Sequence, residues 1–119
     1  MTMLTLVLTI PVMVVTFFQT ARGDRPVEQY IDKLSAKEAA KLLDALAAIE
    51  SHGPEAVVTR HIRGKLWEIK VSATRIFYVL VNGPEVVLLH AYKKQGQKAP
   101  VKEIETAVRR MEEVLAERG

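Results

Sequence analysis

Eight basic side chains fall within residues 60–98: Arg60, Arg63, Lys65, Lys70, Arg75, Lys93, Lys94 and Lys98. Only Glu68 and Glu85 oppose them, so the stretch carries a local net charge of +6 in a 119-residue chain that nets +3. The residues on either side are net acidic. Positive charge concentrated this way on a small sheet suits a phosphate-binding surface. It equally suits a solvated edge, since Lys and Arg also guard exposed strands. The residue types allow chemistry as well as binding. Arginine is always charged and matches phosphate geometry. A crowded lysine can shed part of its charge and act as a base. Tyrosine can stack on a base or donate a proton. Cleavage of an RNA phosphodiester fits that inventory, because the substrate brings its own nucleophile. The protein need only orient the 2′-hydroxyl, take its proton and stabilise the charge that develops on phosphorus.

Other chemistries find little footing. There is no cysteine, which excludes disulfides, thiolate metal sites and a cysteine nucleophile. His52, His61 and His90 are the only histidines, and no two stand three or four residues apart, so no metal site is expected. Glycine motifs that cradle phosphates are absent, and no serine sits in a nucleophile-elbow context. No cofactor is expected. A chain of this length is one domain, and the lack of cysteine fits a cytoplasmic setting.

The elements that must position these residues can be read in order. Residues 1–21 carry no charged side chain, so a signal peptide and a membrane span both need weighing. No Lys or Arg precedes the apolar run, threonines and Pro11 interrupt it, and its apolar residues are largely β-branched or aromatic. Strand is favoured over membrane helix. Val12–Thr20 reads as the first strand. Residues 1–12 read as an apolar N-terminal extension or an extra edge strand, and 13–119 as the single domain. Pro26 opens a short helix with Val27, Tyr30, Ile31 and Leu34 on one apolar face. Ser35 and Glu38 form a capping box for a second helix, which Gly53-Pro54 ends. The two make a helical hairpin. Residues 57–62 read as a short strand or an ordered loop. Leu66–Val71, Arg75–Val81 and Val86–Tyr92 read as strands, with Asn82-Gly83 marking a hairpin. The first of these places Leu66, Glu68 and Lys70 on one face and Trp67, Ile69 and Val71 on the other. The Arg75 strand is apolar on both faces and so central. Pro100 begins a last helix with Val101, Ile104, Val108, Met111 and Leu115 in stripe. The fold class is α+β: a small antiparallel sheet with an N-terminal helical hairpin and a C-terminal helix, the helices grouped on one side.

This topology sets the start of the Arg75 strand beside the end of the strand that runs into Lys93 and Lys94. That juxtaposition is the sharpest structural inference the sequence allows. For each residue a plainer role stands beside the functional one. Arg75 can be a surface anchor, and Lys93, Lys94 and Lys98 a solubilising loop. Glu68 can simply pair with Lys70 or Arg75. Tyr78, Trp67 and His90 fit a core, while Tyr92 beside the basic loop is the aromatic favoured for base stacking.

The segments G-x-L-W-E-I (Gly64 to Ile69), R-I-F-Y (Arg75 to Tyr78), V-L-L-H (Val87 to His90) and K-K-x-x-Q-K-x-P (Lys93 to Pro100) resemble the core of RelE/HigB-like toxins of type II toxin–antitoxin pairs. The phage-derived Gp49-like branch is the most similar, and the likeness spans about residues 13–117. The resemblance implies the RelE-like toxin fold and a metal-independent endoribonuclease that cuts mRNA on the ribosome, leaves a cyclic phosphate and inhibits translation. It implies a cognate antitoxin, commonly of helix-turn-helix type, and operator DNA bound only through the toxin–antitoxin complex. Carried onto matching positions, Arg75 would stabilise the transition state and Lys94 would serve as base or phosphate ligand. Tyr78 or Tyr92 would contact RNA. Arg60, Arg63, Lys65, Lys93 and Lys98 complete the expected RNA-binding set, and no membrane is involved. Lys70 stands where the family often has arginine, which weakens a bidentate contact there. The alternative is a non-catalytic RNA- or protein-binding module of the same fold.

Overall fold

A computed structural model of the chain describes residues 12–97 and 100–118. The elements run β1 (Val14–Phe17), α1 (Pro26–Asp32), α2 (Ala36–His52), a 3-10 turn (Pro54–Ala56), β2 (Val58–Arg63), β3 (Leu66–Val71), β4 (Thr74–Val81), β5 (Glu85–Lys93) and α3 (Val101–Arg118). The segment at 57–62, open to either reading in the sequence, is strand. Most of residues 1–12, expected as an extension or edge strand, lies outside the described residues. Val12 and Met13 donate their backbone N–H groups to the Glu50 carbonyl on the last turns of α2, at 2.6 and 3.1 Å.

Local signals act where they stand. Ser35 Oγ accepts the Glu38 N–H at 3.2 Å and starts α2. Gly53, at φ 87°, lets the chain leave it. Asn82 and Gly83 both take positive φ and turn β4 into β5.

The five strands form one sheet in the order β1-β5-β4-β3-β2. From β2 to β5 every pairing is antiparallel, because consecutive strands are joined by short turns. The fully antiparallel sheet expected from sequence needs correcting at β1, which pairs parallel to β5. Two helices follow β1 before the chain re-enters the sheet, so no hairpin ties β1 to a neighbour. It fills the outer side of β5 instead.

A second correction concerns the layers. The helices do not group on one side. On one face Val27 and Ile31 of α1 and Leu42, Leu46 and Ile49 of α2 pack against Ile69, Ile76, Tyr78, Val86 and Leu88. On the other, Ala107 and Val114 of α3 cover Leu66, Phe77, Val79, Val87 and Leu89. The cause is the two-sided apolar character of β4 and β5. Leaving either face wet would forfeit roughly 1.5–3 kcal/mol for each large apolar side chain exposed.

One irregularity changes which side chains share a face. Phe77 pairs with His90, but Tyr78 pairs with Leu88, so Leu89 is an extra residue in β5. Strict alternation from Val87 would send His90 and Tyr92 to the α1/α2 face. The bulge reverses the phase beyond it. His90 and Tyr92 therefore share the α3 face with Phe77, whose ring stacks on both, at centroid distances of 6.3 and 5.5 Å.

Candidate active site

α3 begins at Val101, and on its face of the sheet the described residues leave a cleft near the β3–β4 turn. Val58, Thr59, Arg60, Glu68, Lys70, Arg75 and Lys94 line this cleft, of about 280 Å³. Strand register assembles it. Arg60 pairs with Glu68 and Lys70 with Arg75, while Arg75 pairs with Tyr92. The Lys94 N–H donates to the Ala73 carbonyl at 2.7 Å, extending the β4–β5 ladder one step past Lys93. The two strand ends lie side by side as expected, and Lys94 joins Arg75 in the cleft, whereas Lys93 does not.

One of the residues lining the cleft is a buried carboxylate. Glu68 is only 3 % exposed. The Tyr92 hydroxyl donates to its Oε2 at 2.9 Å, and Arg60 Nη2 donates to its Oε1 at 3.2 Å. Neither Lys70 nor Arg75, the partners expected for Glu68, makes that ion pair. Burial, reinforced by the bond to Glu68, pushes the Tyr92 phenol well above the usual tyrosine range. The phenol therefore stays protonated and donates.

Arg75 is 7 % exposed, and its Nη1 donates to the carbonyls of Ser72 and Thr74 at 2.8 and 3.1 Å. This clamps the two-residue β3–β4 turn, in which Ser72 takes the left-handed φ of 53°. Among the described residues, Nε and Nη2 of the same fork make no hydrogen bond. Arg60, Lys70, Arg75 and Lys94 surround one carboxylate, which leaves the cleft with net positive charge suited to a phosphate.

The remaining sequence-selected residues are scattered. Tyr78 lies on the opposite face, 2 % exposed in the α1/α2 layer. Burial raises its phenol pKa, with a hydrogen bond to Thr59 acting against it. It is not brought together with Arg75. Tyr92 does not line the cleft: it lies behind Glu68, 7 % exposed, with its ring stacked on Phe77. Its hydroxyl meets Glu68, while its ring face is taken up by Phe77 and is not free to stack on a base. Lys93 lines a different cleft, of about 260 Å³, with Tyr30 and Lys41 on the α1/α2 side. Arg63 and Lys65 flank the β2–β3 turn, at the other end of β3 and roughly 17 Å of strand away from Arg75. Lys98 lies outside the described residues.

His90 serves the scaffold. Arg110 Nη1 donates to its Nδ1 at 3.1 Å, which leaves Nε2 to carry the proton and donate to Glu103. The same guanidinium donates to the Leu89 carbonyl at 3.0 Å and sits over the Phe18 ring. This network pins α3 to the bulge in β5. The residue that sequence reasoning passed over is Glu68. Its signal was available: an acid on the same strand face as Leu66, between basic neighbours, in a sheet with helices to cover it.

A comparison with protein families matches residues 29–112 to the phage-derived protein Gp49-like family (DUF891). The match runs from α1 to the middle of α3 and includes every residue of the cleft. The chain belongs to the Gp49-like family. This family is toxin-like, in keeping with the branch the short motifs resemble. β1 lies outside the match. No curated protein matches the chain. Among the described residues no helix is long and apolar enough to cross a membrane.

Proposed function

We propose that this Gp49-like protein is the toxin of a type II toxin–antitoxin pair of RelE/HigB kind. It cleaves mRNA on the ribosome, through the RNA 2′-hydroxyl and without a metal, and so inhibits translation. The single observation carrying this reading is the convergence of Arg60, Lys70, Arg75 and Lys94 on one cleft around a buried carboxylate. A purely solubilising set of cations has no reason to converge. Arg75, fixed at the turn through Nη1, would direct its remaining donors at the phosphate. Such preorganised donors account for roughly 10²–10³ in rate each when removed. Lys94 at the same rim would bind the phosphate as a point charge. Arg63 and Lys65 would track the RNA backbone away from the cut, and Lys98 would add a further backbone contact. The toxin-like family supports a cognate antitoxin; in this reading it is of helix-turn-helix type, and operator DNA would be bound only through the complex.

The non-catalytic binding module keeps one observation in its favour: Arg75 already has a structural task at the turn. Expression in cells without an antitoxin separates the two. The nuclease arrests growth, and Arg75→Ala and Lys94→Ala relieve the arrest while the protein stays folded. Arrest that persists at full strength in both variants removes the assignment of the cleft.

A further inference from the structure

We propose that Glu68 is the proton acceptor of the cleavage step, a reading that rests on the nuclease function above. Among the described residues it is the only carboxylate lining the cleft, and every other charged side chain lining it is a cation. A cation that holds phosphate is poorly placed to remove a proton from the neighbouring 2′-hydroxyl. The phenol of Tyr92 is no rival, since burial and its bond to Glu68 keep it protonated. Nor is His90, which does not line the cleft and has both ring nitrogens engaged, by Glu103 and Arg110.

The two carboxylate oxygens differ in a way that suits the task. Oε2 is held from the buried side by Tyr92. Oε1 is capped only by Arg60, whose side chain is 55 % exposed. An incoming phosphate competes for that guanidinium, and its geometry suits a bidentate grip. As Arg60 turns to the phosphate, Oε1 opens toward the 2′-hydroxyl. The proton of that hydroxyl passes to Oε1, and the 2′-oxygen bonds to phosphorus. The bond from phosphorus to the 5′-oxygen breaks, and the 2′,3′-cyclic phosphate forms. The departing 5′-oxygen takes a proton from the Lys94 ammonium. Solvent then carries a proton from Glu68 back to Lys94, and the site is restored.

The test uses the full chain and whichever RNA, free or ribosome-bound, the wild-type protein cleaves. Glu68→Gln keeps the shape and removes the acceptor. The expected result is a single-turnover rate at least ~100-fold lower. Binding of an oligonucleotide with a 2′-deoxy group at the cut should be unchanged or tighter. Glu68→Asp should recover part of the rate. A Glu68→Gln protein that cleaves within about threefold of wild type overturns this proposal and leaves the nuclease standing. So does one that loses only affinity for the deoxy oligonucleotide. Should Glu68→Gln lack a cooperative melt, the wild-type pH–rate profile decides. A carboxylate acceptor puts the ascending limb on the acid side, and an amine acceptor puts it on the alkaline side, which would refute the role. A folded wild-type protein that cleaves no RNA removes the nuclease reading and this one with it.

Discussion

Replacing Tyr92 by Phe removes one hydroxyl and nothing else, so it isolates the inner half of the Glu68 cluster. The ring keeps its stacking on Phe77. What goes is a hydrogen bond of 2.9 Å between two side chains that are 7 % and 3 % exposed. Hydrogen bonds to charged groups contribute about 1.5–3 kcal/mol, and an orphaned buried acceptor keeps the full cost of its lost hydration. Water cannot easily replace the hydroxyl, because the gap opens inward. A loss of about 2 kcal/mol is expected, which lowers the Tm of a domain this size by roughly 8 °C. Arg60→Ala is the control. It removes the other partner of the same carboxylate, but from the open side, where water can take its place. A cost of about 0.2–1 kcal/mol is expected there. Urea denaturation of the two variants beside wild type, at pH 7 and fixed salt, gives both numbers. Equal losses, or a Tyr92→Phe cost below about 0.5 kcal/mol, would refute the picture of a carboxylate buried on one side and wet on the other.

The scaffold makes its own predictions. Burial, the largest cause, holds the His90 imidazole below the usual histidine range; Glu103 opposes this and Arg110 adds to it. Between that depressed value and about 6.5 the unfolded chain binds a proton that the folded chain refuses. Stability from this site is therefore complete above the ordinary histidine range and falls as pH drops through it. His90→Gln should flatten the slope of unfolding free energy over that window, and an unaltered slope would contradict the assignment. At the β3–β4 turn, Ser72 holds a φ of 53°. Ser72→Gly should stabilise the protein by about 0.5–1 kcal/mol in thermal or urea unfolding, because glycine adopts that conformation freely. A destabilised variant would show that the serine side chain matters more than the strain.

Much of the scaffold was legible because it is written locally. Ser35 with Glu38, Asn82-Gly83 and Gly53-Pro54 each act within a few residues, and each does so in the fold. The side-by-side ends of β4 and β5 followed from a hairpin alone. Features set by long-range packing were less accessible. The parallel place of β1 depends on which edge remains after β2–β5 assemble. The burial of both sheet faces was half-visible in the two-sided apolar strands, yet only the packing of α3 shows which helix covers which face. The bulge at Leu89 has no local signature, and it alone brings Tyr92 to Glu68. Tyr78 is a different case. It stands three residues from Arg75 on one strand, and simple alternation already sets the two on opposite faces. Glu68 was readable as buried, but its partners were not, because Arg60 reaches it from a segment that the sequence left between strand and loop.

The most direct measurement is cleavage of a defined mRNA by the purified protein, with and without translating ribosomes. The 5′ ends are mapped and the 3′ ends tested for a cyclic phosphate. The account predicts cuts that require ribosomes, cyclic-phosphate ends, and a loss of roughly 10²–10³ in rate for Arg75→Ala, with Arg63→Ala close to wild type at saturating substrate. Cuts on free RNA would keep the nuclease and change its substrate. No cut under either condition by demonstrably folded protein, or full activity in Arg75→Ala, would contradict the claim that this cleft is where phosphodiester chemistry is done.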